Sequence, residues 1–157
     1  MVDGGSVQVE REVAAPPEHV WDLVADVTRM GEWSPEAESA TWLGGADAPA
    51  PGARFRGTNR HGKRHWSTTA TVVAAERGRS FAFDIAVGPF KVARWGYELV
   101  ASDRGCLVTE TWTDQRGWTA TVLGRAATGV ADRSAHNRAT MTETLERLAA
   151  AAESAGD

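Results

Sequence analysis

Apolar and polar residues alternate near the start of the chain and then change to a helical spacing. Val7, Val9 and Val13 alternate with polar neighbours in SVQVEREVAA, which predicts a β-strand with one half-buried face. The next apolar residues recur at steps of one, three and four, at Val20, Leu23, Val24 and Val27. This spacing predicts a helix that begins at about Pro17 and breaks near residues 28–31, since proline is tolerated in a first turn. GEWSP then indicates a turn or a short second helix.

Patterns of period two return after the helices and predict six further strands. EAESATWLGG forms one strand, and ADAPAPG forms a loop. Three hairpins follow, each with two strands around a short turn: GARFRGTN with RHWSTTATVVAA, TVVAAE with SFAFDIAV, and FKVARWGYELV with CLVTETWTD. From Trp118 the spacing becomes helical and remains so to about Ala152.

This order of elements predicts a single α+β domain over residues 1–157, with an ordered core from about Val7 to Leu148 and a frayed C-terminal end. Strands that follow one another through short turns pair antiparallel. The two short helices after the first strand and the long C-terminal helix then cover one face of a seven-stranded sheet.

The third hairpin places large aromatic residues and a carboxylate on one face. If its turn is centred on residues 103–104, Tyr97 lies opposite Glu110 and Trp95 lies opposite Trp112. The other face of this hairpin is mostly polar, so the aromatic face is the inner one. Turns centred on residues 77–78 and 61–62 extend the same inner face to further side chains. These are Phe55, Asn59, Arg64, Trp66, Phe81, Phe83 and Ile85.

The predicted C-terminal helix carries a stripe whose side chains change in size along its length. The stripe runs backwards through Leu148, Leu145, Met141, Asn137, Ser134, Val130, Ala127 and Leu123. Its C-terminal half is large and apolar, whereas its N-terminal half is small and polar. Because protein interiors pack densely, small side chains opposite large aromatics predict a cavity between the sheet and this half of the helix.

Composition and charge narrow the class of partner. The chain has a net charge of −4 and a pI of about 5.6, which argues against a nucleic-acid binder. No apolar run approaches the roughly 20 residues of a membrane span, so we expect no membrane insertion. One cysteine excludes an internal disulfide, and no signal-peptide pattern is evident, so we expect a cytoplasmic protein. The chain has seven tryptophans and one tyrosine, which indicates that the fold makes use of wide, flat, apolar side chains.

Several motifs together resemble a known superfamily over about Val7 to Leu148. They are Pro17-x-x-Val20-Trp21-x-x-Val24-x-Asp26, Trp33-Ser34-Pro35, Gly52-x-x-Phe55, Trp95-x-Tyr97 and Val108-x-Glu110. The chain is similar to the START-like, helix-grip superfamily, also called SRPBCC, and most similar to its polyketide cyclase/dehydrase and lipid-transport branch. The resemblance implies a curved seven-stranded antiparallel sheet that grips the long helix around a hydrophobic cavity. Members bind lipids, sterols, aromatic polyketides or plant hormones, and some catalyse cyclisation, dehydration or hydrolysis without a universal catalytic residue.

Glu110 and Tyr97 are the candidate catalytic residues. Glu110 would act as a general base or a ligand anchor with a pKa raised by desolvation, and Tyr97 would orient it. The alternative is a polar pair that stabilises the hairpin, or an ion pair between Glu110 and Arg64 or another arginine. The candidate ligand-binding residues are Trp66, Trp95, Trp112, Phe55, Phe83, Asn59, Arg64, Ser134, Asn137 and Met141. The tryptophans would stack on a flat ligand, or they would fill the core themselves.

The remaining titratable residues suggest neither a metal site nor a cofactor. His136 lies off the Met141 face of an ideal helix, which predicts a surface histidine. The other histidines are scattered along the chain without a cysteine or carboxylate at ligand spacing. Cys106 has no histidine partner in the pattern, so a nucleophilic role is not expected.

Three hypotheses for function follow from this pattern. The first is a domain that binds a small hydrophobic molecule, aromatic or polyketide-like, with cyclase or dehydratase activity if it is an enzyme. The second is a non-catalytic carrier or sensor of a lipid or fatty acid. The third is an interaction module whose tryptophans fill its own core. A homodimer formed through a sheet edge or a helix is compatible with the sequence.

Overall fold

The computed structural model describes residues 5–116 and 132–155. Seven strands form one antiparallel sheet, in the order β1-β7-β6-β5-β4-β3-β2. Their bounds are β1 Ser6–Val13, β2 Ala37–Leu43, β3 Arg54–His61, β4 Arg64–Glu76, β5 Ser80–Val87, β6 Phe90–Ser102 and β7 Gly105–Asp114. The helices are α1 Pro17–Val24, a 3₁₀ helix Val27–Glu32 and the long α2 Arg133–Ala155. The predicted α+β helix-grip fold, with an open curved sheet and a long C-terminal helix, is confirmed.

The short helices close one end of the sheet. α1 begins directly after Pro16 and buries its apolar face, which includes Trp21. The indole Nε1 of Trp21 donates a hydrogen bond to the carbonyl of Ser80 at 2.7 Å, and its ring packs edge-on against Phe81. Trp21 is therefore a structural contact between α1 and the sheet, as its helical position predicts.

α2 packs across the sheet and contacts β1, β7 and α1. It begins at Arg133, where Asp132 Oδ1 accepts a hydrogen bond from the backbone N–H of Ala135 at 3.0 Å, as an N-cap does. The predicted start of this helix at Trp118 and its first stripe residues, Leu123, Ala127 and Val130, lie outside the described residues. Within the described part, no helix is both long and apolar enough to cross a membrane.

The three hairpin registers differ in how well the sequence predicts them. The β6–β7 register has every predicted pair, including Tyr97 with Glu110 and Trp95 with Trp112. The β4–β5 register has Val72 opposite Phe83 as predicted, but a bulge beyond Val72 places Ala75, instead of Ala74, opposite Phe81.

The β3–β4 register is shifted by two residues from the predicted one. Asn59 lies opposite Trp66 instead of Arg64, because the tight turn is formed by residues 62–63. A shift of two keeps each side chain on its predicted face.

Candidate functional site

A cavity of about 380 Å³ lies between the inner face of the sheet and the N-terminal half of α2. Its walls are mostly apolar and aromatic. They include Trp66, Phe83, Ile85, Trp95, Trp112 and Met141. Volume and wall chemistry match small-ligand sites, which span roughly 300–1,000 Å³ and are predominantly apolar.

The cavity exists because the side chains of α2 become smaller toward its N-terminus. Leu145 and Leu148, in the C-terminal half, are buried in the main hydrophobic core. Asn137, Thr140 and Thr144 face the sheet further toward the N-terminus and line the cavity instead. Four strands, β4 to β7, supply large aromatics opposite these small residues, so the space between them is not filled.

Tyr97 and Glu110 form a buried polar pair in the cavity wall. They lie opposite each other on β6 and β7, and the Tyr97 hydroxyl donates to Glu110 Oε2 at 2.9 Å. Glu110 is only 2% exposed, and its second oxygen, Oε1, is buried without a hydrogen-bond partner among the described residues. An unpartnered buried oxygen is uncommon in folded proteins and calls for an explanation.

The protonation state of the pair follows from its burial. Desolvation raises the pKa of the Glu110 carboxyl from 4.5 to about 8, and the hydrogen bond from Tyr97 opposes this rise only in part. Burial and the neighbouring Glu110 raise the pKa of the Tyr97 hydroxyl well above its ordinary value. At neutral pH Glu110 is therefore mainly a carboxylic acid. Since Oε2 accepts the hydrogen bond from Tyr97, Oε1 is the oxygen that can carry the proton and donate it.

Charged residues form a rim where the start of β2, the end of β3 and the start of α2 meet. We call Glu36, His61, Arg133 and His136 the rim cluster. Arg133 Nη1 donates to both oxygens of Glu36, at 2.9 and 3.0 Å, and His136 Nε2 lies 2.7 Å from Glu36 Oε2. The guanidinium of Arg133 also lies 5.9 Å from the ring centre of Trp66, which joins the rim to the aromatic wall.

A second arginine pair borders the cavity at the end of β7. Arg116 Nη2 lies 2.8 Å from Asp114 Oδ2, and both side chains are largely buried. The charges of Arg116 and Asp114 offset each other, so the cavity presents little net charge to a ligand at this side.

The structure places most of the predicted site residues on the cavity. Seven of the predicted ligand-binding residues line it: Asn59, Trp66, Phe83, Trp95, Trp112, Asn137 and Met141. Three others do not, and the described structure gives a reason for each. Phe55 is buried in the core, with ring centres 5.2 Å from Phe83 and 5.6 Å from Trp42. Its side chain packs behind Phe83 and does not reach the cavity.

Arg64 and Ser134 also lie away from the cavity. Arg64 is exposed at the start of β4, beside the tight turn, and it is not among the described residues that line the cavity. Ser134 lies under the start of β1, where a Cβ added at Gly5 would come within 2.6 Å of its Oγ. Ser134 shares a helix face with Met141, seven residues further on, but it lies about two turns nearer the N-terminus of α2, beside Gly5 and away from the cavity.

His136 also differs from its prediction. Its side chain is 22% exposed, and its ring packs edge-on against His61 with centres 4.8 Å apart. The angle around an ideal helix correctly places it off the Met141 stripe, but Glu36 and the end of β3 cover that side of the first turn.

Some residues of the site were not predicted from the sequence. Arg133, Thr140 and Thr144 line the cavity together with Asn137, at steps of three and four along α2. That spacing is visible in the sequence as a stripe next to the predicted one. Glu36 also lines the cavity, but no local pattern indicates it, because its partner His136 is 100 residues away in the chain.

Fold and site together define a helix-grip domain with an apolar cavity. The family model for polyketide cyclase / dehydrase and lipid transport matches residues 5–153, so the chain belongs to this family. The solution structure of the Polyketide_cyc-like protein Cgl2372 from Corynebacterium glutamicum is 26% identical, with a TM-score of 0.61, and the match covers 98% of this chain and 91% of that one. No curated protein matches the sequence significantly.

Two further solved structures are similar in fold at lower identity. The crystal structure of the di-domain ARO/CYC StfQ, from the steffimycin biosynthetic pathway, is 14% identical with a TM-score of 0.73. The match covers 96% of this chain and 52% of StfQ. Protein CV1439 from Chromobacterium violaceum is 15% identical with a TM-score of 0.71, and the match covers 94% of this chain and 96% of that one.

Proposed function

We propose that this protein binds a small hydrophobic molecule, of aromatic or polyketide-like type, in the cavity between the sheet and α2. The observation that carries the proposal is the buried Tyr97–Glu110 pair, whose Oε1 has no partner among the described residues. Apolar walls supply most of the binding free energy through area removed from water, at roughly 25 cal/mol per Å². The carboxylic acid then orients the ligand by donating to one of its oxygens.

The same acid defines the reaction that the site can support. Oε1 of Glu110 donates its proton to a ligand carbonyl oxygen, and the carboxylate that results takes a proton from the neighbouring carbon. This gives the enol that precedes an intramolecular carbon–carbon bond, and it restores the acid. In dehydration the same acid protonates the hydroxyl that leaves as water, and its carboxylate takes a proton from the adjacent carbon, so that a C=C bond forms and the acid is restored. We therefore propose cyclisation or dehydration in which Glu110, protonated below pH 8, acts first as a general acid, where the sequence predicted a general base or a ligand anchor. The aromatic wall contributes by holding the substrate in a folded conformation.

The similarity to StfQ agrees with this proposal. StfQ is an ARO/CYC of a biosynthetic pathway, and this chain matches about half of its length. The description of the family, polyketide cyclase / dehydrase and lipid transport, agrees with the proposal as well. Both support a ligand that is hydrophobic and oxygenated, which is what an apolar cavity with one acid accommodates.

Blocking the cavity tests the proposal. Thr140 lines the cavity, whereas Thr142, two residues further along α2, is exposed. We expect Thr140→Phe to weaken the binding of flat aromatic ketones at least about tenfold, because the new ring occupies the ligand volume. Thr142→Phe, the matched control, should bind as the wild type does. The measurement is quenching of tryptophan fluorescence during titration, with circular dichroism to show that both variants fold. Equal affinity in all three proteins would refute binding in this cavity.

A carrier of a hydrophobic molecule is the second candidate function. It is favoured by the chemistry of the pair, since among the described residues Tyr97 alone hydrogen-bonds Glu110 and no second ionised group pairs with this acid. Glu110→Gln distinguishes the two functions. An enzyme would lose turnover with this variant, whereas a carrier would retain nearly all of its affinity. The third hypothesis, a self-filled core, is disfavoured by the cavity of about 380 Å³.

A further inference from the structure

Three members of the rim cluster carry side chains that bind metal ions. They come from three separate parts of the chain: Glu36 precedes β2, His61 ends β3, and His136 lies in the first turn of α2. One ligand atom from each residue lies within 4.8 Å of the other two. Two imidazoles and one carboxylate are a donor set found in zinc sites that keep an open coordination position.

The geometry lies close to that of an assembled site. Zinc bonds of about 2.0–2.2 Å in a tetrahedral arrangement place neighbouring ligand atoms roughly 3.3 Å apart. Glu36 Oε2 and His136 Nε2 are 2.7 Å apart, so they need to separate slightly, while the other ligand atoms, all within 4.8 Å of one another, need to approach by at most about 1.5 Å. His61 and His136 are partly exposed, so rotation about their side-chain bonds can supply these shifts.

Arg133 positions the carboxylate. It donates to both oxygens of Glu36, and its Nη1 also lies 3.4 Å from Asn137 Oδ1. A ligating carboxylate is commonly held by such a hydrogen bond from a residue that does not itself touch the metal. The tautomer of His136 that carries its proton on Nδ1 leaves Nε2 free to bind the ion in place of its contact with Glu36.

The charges around the site select the type of ion. Arg133 offsets the charge of Glu36, so two neutral imidazoles, one carboxylate and one guanidinium sum to zero. Magnesium and calcium depend on several charged or carbonyl oxygens and gain little here. Imidazole nitrogen instead favours zinc, copper and nickel.

We propose that Glu36, His61 and His136 form a binding site for a divalent transition-metal ion, with Zn²⁺ as the reference ion, at the rim of the cavity. Three protein ligands leave one coordination position for water or for an oxygen of a molecule in the cavity. Glu36 itself lines the cavity, so an ion at this site borders the ligand volume. The site is independent of the Tyr97–Glu110 pair and of the proposed ligand.

The test is calorimetric titration of the chelator-treated, tag-free full chain with ZnCl₂. We expect binding that saturates at one equivalent, and no heat with MgCl₂ at the same concentration. His61→Ala and His136→Ala should each weaken Zn²⁺ binding at least about tenfold, the loss that even an outer-shell residue causes. His65→Ala is the matched control, because His65 is also a histidine beside a glutamate, Glu38, at 3.0 Å. It should bind Zn²⁺ as the wild type does.

Co²⁺ provides a second readout that does not depend on affinity alone. Four-coordinate Co²⁺ absorbs visible light, so the wild type and His65→Ala should develop this absorption while His61→Ala and His136→Ala should not. Thermal unfolding followed by circular dichroism checks that every variant folds, and His61→Gln and His136→Gln replace any alanine variant that does not. Zn²⁺ binding that is unchanged in both rim variants, or weakened as much by His65→Ala, would overturn the proposal.

Discussion

Burial determines what the Glu110 carboxyl group can do. In water this group would lose its proton near pH 4.5, whereas in the fold its pKa is about 8. A buried carboxylate without a cationic partner is costly, and Tyr97 supplies only a single hydrogen bond. The folded protein therefore holds a neutral acid at neutral pH, and a neutral acid can donate a hydrogen bond whereas a carboxylate can only accept one.

The raised pKa makes stability depend on pH. Between pH 4.5 and about 8 the folded protein keeps a proton on Glu110 that the unfolded chain releases, so raising the pH favours unfolding. This contribution to stability is complete below pH 4.5 and is lost as the pH rises through about 8. We expect the free energy of unfolding of the wild type, relative to that of Glu110→Gln, to fall by up to about 1.4 kcal/mol per pH unit in this window.

Urea unfolding of both proteins at a series of pH values measures this difference. Glu98→Gln is the control, because Glu98 lies next to Tyr97 on β6 but is exposed. It should follow the pH dependence of the wild type. A constant difference between wild type and Glu110→Gln across the series would show that Glu110 does not titrate with a raised pKa.

α2 has two halves with different roles. Its C-terminal half completes the hydrophobic core through Leu145 and Leu148, whereas its N-terminal half borders the cavity and the rim cluster. The residues of α2 that stabilise the fold therefore lie toward its C-terminus, and those of the candidate site lie toward its N-terminus. A site that must admit a ligand cannot also be packed as densely as a core.

This division predicts different costs for substitutions along one helix. Leu148→Ala should lower the free energy of unfolding by about 2–5 kcal/mol, because it opens a cavity in a fully buried position. Thr140→Ala, eight residues earlier on the cavity side, should cost less than about 1 kcal/mol, since its side chain already borders open space. Urea unfolding at neutral pH measures both. Similar losses for the two variants would contradict the division.

The strands show which parts of an element the sequence can predict. Alternation predicts the inner face of β6 and β7, and a short turn fixes their register, so Tyr97 and Glu110 are correctly placed opposite each other. The alternation of apolar and polar residues does not reveal the bulge after Val72. The residues on each side of the extra residue still alternate, so the pattern fits a strand with or without a bulge. The shift by two residues in β3–β4 preserves alternation as well, so only the turn geometry distinguishes the two registers.

The rim cluster lies beyond such local reasoning. Arg133 is 97 residues from Glu36 in the chain, and their contact depends on where α2 crosses the sheet. No period in the sequence specifies that crossing. The hydrophobic wall could therefore be predicted from strand and helix patterns, whereas the charged rim required the three-dimensional structure.

At the scale of the whole molecule, the sheet and α2 enclose an apolar cavity with one neutral acid in its wall and a charged cluster at its rim. The chain belongs to a family of polyketide cyclase / dehydrase and lipid-transport proteins. The cavity is the place in this fold where a hydrophobic ligand would fit. We propose that Glu110 donates a hydrogen bond to an oxygen of a ligand held by the aromatic wall.

A matched pair of ligands tests this claim most directly. Fluorenone and fluorene have nearly the same flat shape, but only fluorenone has a carbonyl oxygen. Calorimetric titration below pH 8 should show tighter binding of fluorenone, by up to about tenfold, which corresponds to a hydrogen bond worth roughly 0.5–1.5 kcal/mol. The preference should decrease as the pH rises above 8 and be absent in Glu110→Met, which keeps the side-chain length and removes the donor. Equal affinity for the two ligands, or a preference unaffected by pH and by Glu110→Met, would contradict the account.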